Sequence, residues 1–155
     1  MVKKLIVALD NIRSHHNVGS VFRSADAFGV DELILGGISP KPPHRDIQKT
    51  ALGATESVNW SSSDNLRTRI QELKEERFKI IAIEQVEGSI RMPQGTEIKE
   101  DKLVIILGNE VKGIDEELIE IADEIWEIPQ HGIKKSLNVS VCAGICMYNI
   151  LAVYG

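Results

Sequence analysis

Leu103-Val104-Ile105-Ile106-Leu107-Gly108-Asn109-Glu110-Val111-Lys112-Gly113 is the stretch on which the fold class turns. Five apolar residues follow one another without the alternation of a half-wet strand, as expected for a strand buried on both faces of a parallel sheet. The run stops at a glycine-bounded polar loop. On either side of it, short apolar runs alternate with amphipathic segments. Residues 5–9, 32–35, 57–60, 79–83 and 124–128 read as further strands, and 18–28, 43–52, 64–77, 115–122 and 137–153 have helical spacing. That alternation predicts an α/β domain with a mainly parallel sheet flanked by helices. Gly29 is placed to stop the first helix and Asp64 to cap the third. Residues 87–102, with Gly88, Pro93 and Gly95, read as a polar connection, and no repeat or low-complexity stretch is visible.

With 155 residues, 43% of them apolar, the chain suffices for one domain with a proper core, so a single domain over 1–155 is expected. No apolar run approaches the roughly 20 residues that span a bilayer. The start, Met1-Val2-Lys3-Lys4-Leu5, runs straight into a strand, so a cytoplasmic, membrane-free protein is expected. Cys142 and Cys146 stand four apart in an apolar helical pattern without flanking ligands and read as buried thiols; no metal is expected. The net charge of −5 argues at face value against a nucleic-acid partner. The distribution qualifies this. Residues 1–50 carry 7 basic and 5 acidic side chains, residues 64–127 carry 9 and 17, and residues 128–155 carry two lysines and no acid. The ends, which hold all four histidines, could therefore form one electropositive face, or the asymmetry could be ordinary solvated charge.

In such folds ligands collect at the carboxyl ends of the strands, and three loops there are unusual. After the first strand comes Asp10-Asn11-Ile12-Arg13-Ser14-His15-His16-Asn17-Val18-Gly19-Ser20-Val21-Phe22-Arg23. Its entry into a helix could offer free amides to an anion, with Gly19 allowing close approach. Arg23 would fall about one turn into that helix, on a face broadly neighbouring that of Asn17; a capped helix with a surface arginine is the plainer alternative. The second loop, Gly108 to Gly113, lacks the dinucleotide spacing and could hold a ligand's polar edge or be a simple turn. The third is Ile128-Pro129-Gln130-His131-Gly132-Ile133-Lys134-Lys135-Ser136-Leu137-Asn138-Val139-Ser140-Val141. Pro129 ends a strand, Gly132 permits a turn, and Ser136 is placed to cap the last helix. Asn138 would then lie in the first turn with no capping task, free for a ligand or simply exposed.

Taken together, Asn17-x-Gly19 with Arg23, the strand ending Gly108-x-Glu110-x-x-Gly113, and Ile128-Pro129 followed by Ser136-Leu137-Asn138-Val139-Ser140 resemble the three motifs of the SpoU-type (TrmH-like) RNA ribose methyltransferases of the SPOUT superfamily. The resemblance covers most of the chain. Its first motif is Asn-x-Gly-x-x-Arg; here three residues separate Gly19 from Arg23, which aligns with the family arginine because Ala25 and Gly29 also fit.

The resemblance implies a sheet whose C-terminal segment makes a deep trefoil knot, an exception to the usual rule that chains are unknotted. It implies S-adenosylmethionine bound in the knot by Gly108, Ile128 and Leu137, with Ser136 and Asn138 closing the loop and Glu84 and Gln85 as lesser candidates. It implies transfer of a methyl group to a 2′-hydroxyl of transfer or ribosomal RNA without a metal, with Arg23 acting on that hydroxyl and Asn17, Glu110, Ser136 and Asn138 organising the site. A homodimer through the knot region is expected, with Ala143 and Gly144 of the last helix against the partner. Many relatives carry an added RNA-binding region that this stretch lacks. RNA would then rest on Arg13, His15, His16, Arg23, Lys41, His44, Arg45, Lys134 and Lys135, or on a separate protein. Gln130 and His131 depart from the apolar or small residues frequent in the family. The alternatives are a relative without turnover and a flavodoxin-like nucleotide-binding or signalling module; Asp10 lacks the acidic cluster the latter requires.

Overall fold

The computed structural model describes residues 1–134 and 136–151. Seven strands form one sheet: β1 (Lys4–Asp10), β2 (Glu32–Gly36), β3 (Trp60–Ser63), β4 (Lys79–Ile83), β5 (Ile90–Arg91), β6 (Lys102–Leu107) and β7 (Glu124–Glu127). Their spatial order is β3-β2-β1-β6-β4-β7-β5, and every neighbouring pair runs parallel. The run at 103–107 is the middle of the sheet, paired with β1 from Lys4↔Lys102 to Leu9↔Leu107 and with β4 on its other side.

Period-two geometry divides these strands between two cores. Leu5, Val7, Leu9, Leu103, Ile105 and Leu107 point to one face, where α1 (His15–Phe28), α2 (Arg45–Ala51), α3 (Ala54–Ser57) and α6 (Val139–Leu151) cover them. Ile6, Ala8, Val104 and Ile106 point to the other, beneath α4 (Leu66–Glu75) and α5 (Glu116–Ile121). Both faces of the central strands are thus dry, which is why their residues do not alternate with polar ones.

Helix ends follow local capping chemistry. The Ser14 hydroxyl accepts from the Asn17 amide at the start of α1, and Gly29, at φ 73°, ends it in the left-handed region. The expected cap at Asp64 is one residue early: Asn65 Oδ1 accepts from the Thr68 amide at 3.1 Å. The strand expected at 57–60 is displaced as well. Ser57 belongs to α3, its hydroxyl bonded to Ala54 O and Asp26, and the strand is the polar Trp60-Ser61-Ser62-Ser63. At the sheet margin, paired only with β2, such a strand needs no apolar run. The polar connection holds β5 and a 3-10 turn at Gly95–Glu97, where the Gln94 amide donates to the Glu97 carboxylate.

Ala143, expected to meet a partner, is fully buried against α1 and the sheet within its own chain. The exposed apolar residues of α6 are instead Val141, Ile145 and Tyr148, with Tyr148 packed edge-on against Phe28 of α1 at 5.9 Å. Ala152 and Val153, the end of the expected last helix, lie outside the described residues.

Gly19 is enclosed by α2, not by a loop open to solvent: a Cβ there would collide with the Thr50 hydroxyl and the Ile47 carbonyl. The Thr50 hydroxyl also donates to His16 O at 2.8 Å, tying the two helices at this point. Gly19→Ala is therefore expected to cost about 1–3 kcal/mol through overpacking, lowering Tm by roughly 3–10 °C. Thermal unfolding with a Tm within about a degree of the parent would show that the helices absorb the methyl group.

Candidate functional site

The sheet reverses direction of winding between β1 and β6, and the loops that follow these two strands are clamped together at their carboxyl edge. Glu110, from the loop after β6, accepts from the amides of Arg13 at 3.1 Å and of Ser14 at 3.3 Å. Asn109 Nδ2 donates to Asn11 O at 2.6 Å, while its Oδ1 accepts from the amides of Val111 and Lys112. Asp10, buried at the end of β1, accepts from the Asp115 amide at 2.8 Å. The amides of Arg13 and Ser14, immediately ahead of α1, are thus occupied by a carboxylate of the same chain. This replaces the anion-binding expectation for that loop.

Beside the clamp lies a cavity of ≈ 280 Å³ at the carboxyl ends of β4, β6 and β7, closed by the segment that leads into α6. Its apolar walls include Ile83, Leu107, Ile114, Ile128, Leu137 and Val139; its polar groups include Glu84, Gln85, Asn109, Glu110, Lys112, Gln130 and Ser136. Gly108 and Gly113 shape the floor. A Cβ on Gly108 would strike the backbone of Gly113 and Ile114, and Gly113, at φ 73°, is crossed by the Glu84 carboxylate. That carboxylate also accepts from the Ile114 amide at 3.3 Å, joining the end of β4 to the loop after β6.

Three carboxylates in this region have displaced pKa values. Burial pushes Asp10 above its ordinary range, against the lowering effect of the Asp115 amide. Burial raises Glu84 too, opposed by the Ile114 amide and reinforced by Asp10. Burial alone would raise Glu110, but hydrogen bonds from its own amide, from those of Arg13 and Ser14 and from the Asn17 side chain outweigh it, so the group is held low.

Of the residues expected at the cofactor, Glu84, Gln85, Gly108, Ile128, Ser136 and Leu137 line the cavity together, and Glu110, expected to organise the site, lines it with them. Asn138 does not, and the capping assignments at α6 are reversed. Asn138 Oδ1 accepts from the amide of Ser140 at 2.9 Å and Asn138 O from that of Cys142, so Asn138 is the cap and Ser136 precedes it. A short amide one residue before a helix competes well for that position. Asn17 is engaged with Glu110 at the clamp. It stands in the first turn of a helix that starts at His15, three residues before the expected start. Arg23 is therefore more than two turns along, and an offset of six residues sets it about a third of the way round from Asn17. Arg23 is exposed and lines a separate depression with Ser20, Ser24, Ala27, Phe28, Lys49 and Thr50.

Sequence reasoning passed over Asp10, Asn109 and Cys142. Asp10 ends an apolar strand and Asn109 follows Gly108 directly, positions where a buried carboxylate or amide has a structural reason to stand. Nothing local distinguishes Cys142, which lines the cavity while the fully buried Cys146 sits one turn along. Hydrogen bonding to Cys142, then burial, pushes the Cys146 thiol well up. Among the described residues no group of three potential metal ligands gathers, and no helix is long and apolar enough to cross a membrane.

The residues expected at RNA are exposed at Arg13, His16, Lys41, His44, Arg45 and Lys134 and half-buried at His15; Lys135 lies outside the described residues. α1 packs on α2, and the rings of His15 and His44 meet with centroids 4.1 Å apart at a tilt of 37°.

A parallel sheet with a loop-built cavity at this edge is the architecture of a methyltransferase-type α/β domain, and sequence comparison assigns it. Residues 4–148 match the SpoU rRNA Methylase family, to which the chain belongs. It is 33% identical over 146 residues to the tRNA (guanosine(18)-2'-O)-methyltransferase of Aquifex aeolicus, covering 94% of this chain and 68% of that protein. It is 32% identical over 145 residues to the 23S rRNA (guanosine-2'-O-)-methyltransferase RlmB of Vibrio vulnificus, covering 93% and 57%. An AdoMet-bound rRNA methyltransferase from Sinorhizobium meliloti shares the fold with a TM-score of 0.85 at 25% identity, over 100% of this chain and 58% of that one. The chain spans little more than half the length of the last two proteins.

Opposite pKa displacements predict opposite pH effects. Glu110 is lowered, so its stabilisation is present above the ordinary carboxylate pKa and is lost as pH falls through its folded value. Glu84 is raised, so its cost is fully present above its folded pKa and disappears as pH falls below the unfolded one. Glu110→Ala should lose about 0.5–1 kcal/mol at neutral pH after allowance for solvent screening, with the loss shrinking in acid. Glu84→Gln, which keeps an oxygen for the Ile114 amide, should be as stable as the parent or more so at neutral pH. Urea unfolding across the acid range tests both; parallel pH profiles for the two variants would contradict the assignment.

Proposed function

We propose that this chain is the catalytic domain of an S-adenosylmethionine-dependent ribose 2′-O-methyltransferase acting on transfer or ribosomal RNA in the cytoplasm. The observation that carries the reading is the cavity at the carboxyl ends of β4, β6 and β7, in a member of a family whose matched relatives are RNA 2′-O-methyltransferases. The cavity suits the cofactor chemically: among the described residues its apolar walls for an adenine lie beside the carboxylates of Glu84 and Glu110 and the single cation of Lys112, so the wall favours a cationic sulfonium. When bound there, S-adenosylmethionine supplies an activated methyl group, whose carbon moves to the 2′-oxygen and leaves a neutral thioether.

The protein's own task is then alignment and charge. Gly108, Ile128 and Leu137 hold the cofactor, Glu84 and Gln85 flank it, and Ser136 and Asn138 fix the closing segment. Arg23 is the group that steadies the developing alkoxide while the hydroxyl proton passes to solvent water; a guanidinium remains charged throughout and stabilises negative charge without accepting the proton. Glu110 and Asn17 orient the helix that carries it.

Arg23 does not line the cavity of its own chain, so the reading requires a second copy to deliver it. The exposed Val141, Ile145 and Tyr148 of α6 adjoin the Arg23 depression through Ser20, Ser24 and Phe28, an apolar strip suited to a homodimer contact. A deep trefoil knot in the C-terminal segment also fits. Residues 84–101 leave β4, reach β5 on the far side of β7 and return to β6, so the chain leaving β7 starts within the span of that excursion.

Transfer of labelled methyl to bulk transfer RNA and ribosomal RNA lacking native modifications tests the reading. Wild type should label one pool, and Arg23→Ala should keep cofactor binding while turnover falls by about 10²–10³. Mixing Arg23→Ala with Gly108→Val, whose loop cannot close over the cofactor, should restore activity above either parent if the arginine acts across the dimer. A fully active Arg23→Ala would refute its role, and no transfer with cofactor bound would favour a relative without turnover.

A further inference from the structure

We propose that the packed imidazoles of His15 and His44, tilted against each other, form a rigid ledge that holds one unpaired base of the RNA beside the methylated ribose. The inference rests on the RNA-methyltransferase reading and specifies which part of the substrate this corner recognises. Its position follows from the clamp. Glu110 lines the cavity and binds the Arg13 and Ser14 amides, so His15, the next residue, stands immediately beside the cavity wall. His44 arrives from the loop after β2, and the two ring centroids are 4.1 Å apart.

His44 is fixed twice: by this contact, and by its Nδ1, which accepts from the Asp46 amide at 3.1 Å to cap α2. With Nδ1 accepting, the neutral ring carries its proton on Nε2. The residue is nevertheless exposed, leaving ring surface for a third ring. A ring already held in place loses little conformational freedom when a base stacks on it, and stacking on aromatic side chains is a principal means of holding unpaired RNA bases. Arg13, Lys41 and Arg45 are exposed, stand within three residues of His15 or His44 in the chain, and suit the flanking phosphates, contacts that position RNA without reading sequence. Asp46, which would repel them, is engaged by Lys49 at 3.3 Å and Arg45 at 3.9 Å.

The test compares His44→Asn, His15→Ala, His15→Phe and Arg45→Ala in methyl transfer and in equilibrium binding to the unmodified RNA pools, across a range of salt. Asparagine keeps a side-chain acceptor for the α2 cap and removes the ring. His44→Asn and His15→Ala should each weaken RNA by about tenfold, expressed in KM rather than kcat, with an unchanged salt slope, and His15→Phe should recover the loss. Arg45→Ala should instead reduce the salt slope by about one. Unchanged RNA affinity in both histidine variants, failure of phenylalanine to rescue, or a loss accompanied by a reduced salt slope would overturn the ledge. An inactive wild type would defeat the methyltransferase reading instead, and the binding measurements would still decide on the ledge.

Discussion

The carboxylate of Glu110 on the amides of Arg13 and Ser14 is the contact on which the functional edge depends. It joins residues 97 positions apart and sets the start of α1 against the loop after β6. It also places a negative charge at the positive end of a 14-residue helix, where it offsets the partial charge of unsatisfied amides. Together with the Asn109–Asn11 bond and the Thr50–His16 bond, this bridge sets the start of the helix relative to the cavity.

The same economy recurs at Asp10 and Glu84, whose oxygens accept amides of residues 114 and 115. Acidic residues at this edge thus brace loops. They are matched to backbone donors, not to cations. The net charge of −5 therefore says little about how charge is arranged at this edge. The middle of the chain carries acid on α5, with Glu116, Glu117 and Glu120, while residues 1–50 carry more basic than acidic side chains.

The central strand and the alternation of elements could be read from residue order because burial on two faces leaves an unmistakable apolar run. The edge strands could not: Trp60-Ser61-Ser62-Ser63 and Ile90-Arg91 are ordered by pairing with a neighbour, not by their own composition. Seven residues that line the cavity were singled out by the resemblance to the family motifs, which local composition alone would not have done. Gly19 was misread because a helix-to-helix contact and a ligand contact require the same absent side chain. Asn138 and Ser136 exchanged roles because both are good caps and only the helix start, set by packing of Val139 on the core, decides between them. The packing of His15 on His44 depends on a long-range approach of α1 and α2 that no local pattern encodes.

The register Lys4↔Lys102 has a consequence for synthesis. At about 5–20 residues per second, β1 waits roughly 5–20 s for its central partner to be made. During that time β1 to β3 form only half a sheet, with the side of β1 that will receive β6 an open edge. Parallel pairing across so long a loop makes closure entropically slow and leaves the nascent half vulnerable to edge-to-edge association. The loop that β6 leads into carries Gly108, so the floor of the cavity takes shape with that pairing, and its remaining wall arrives only with β7 and the segment before α6.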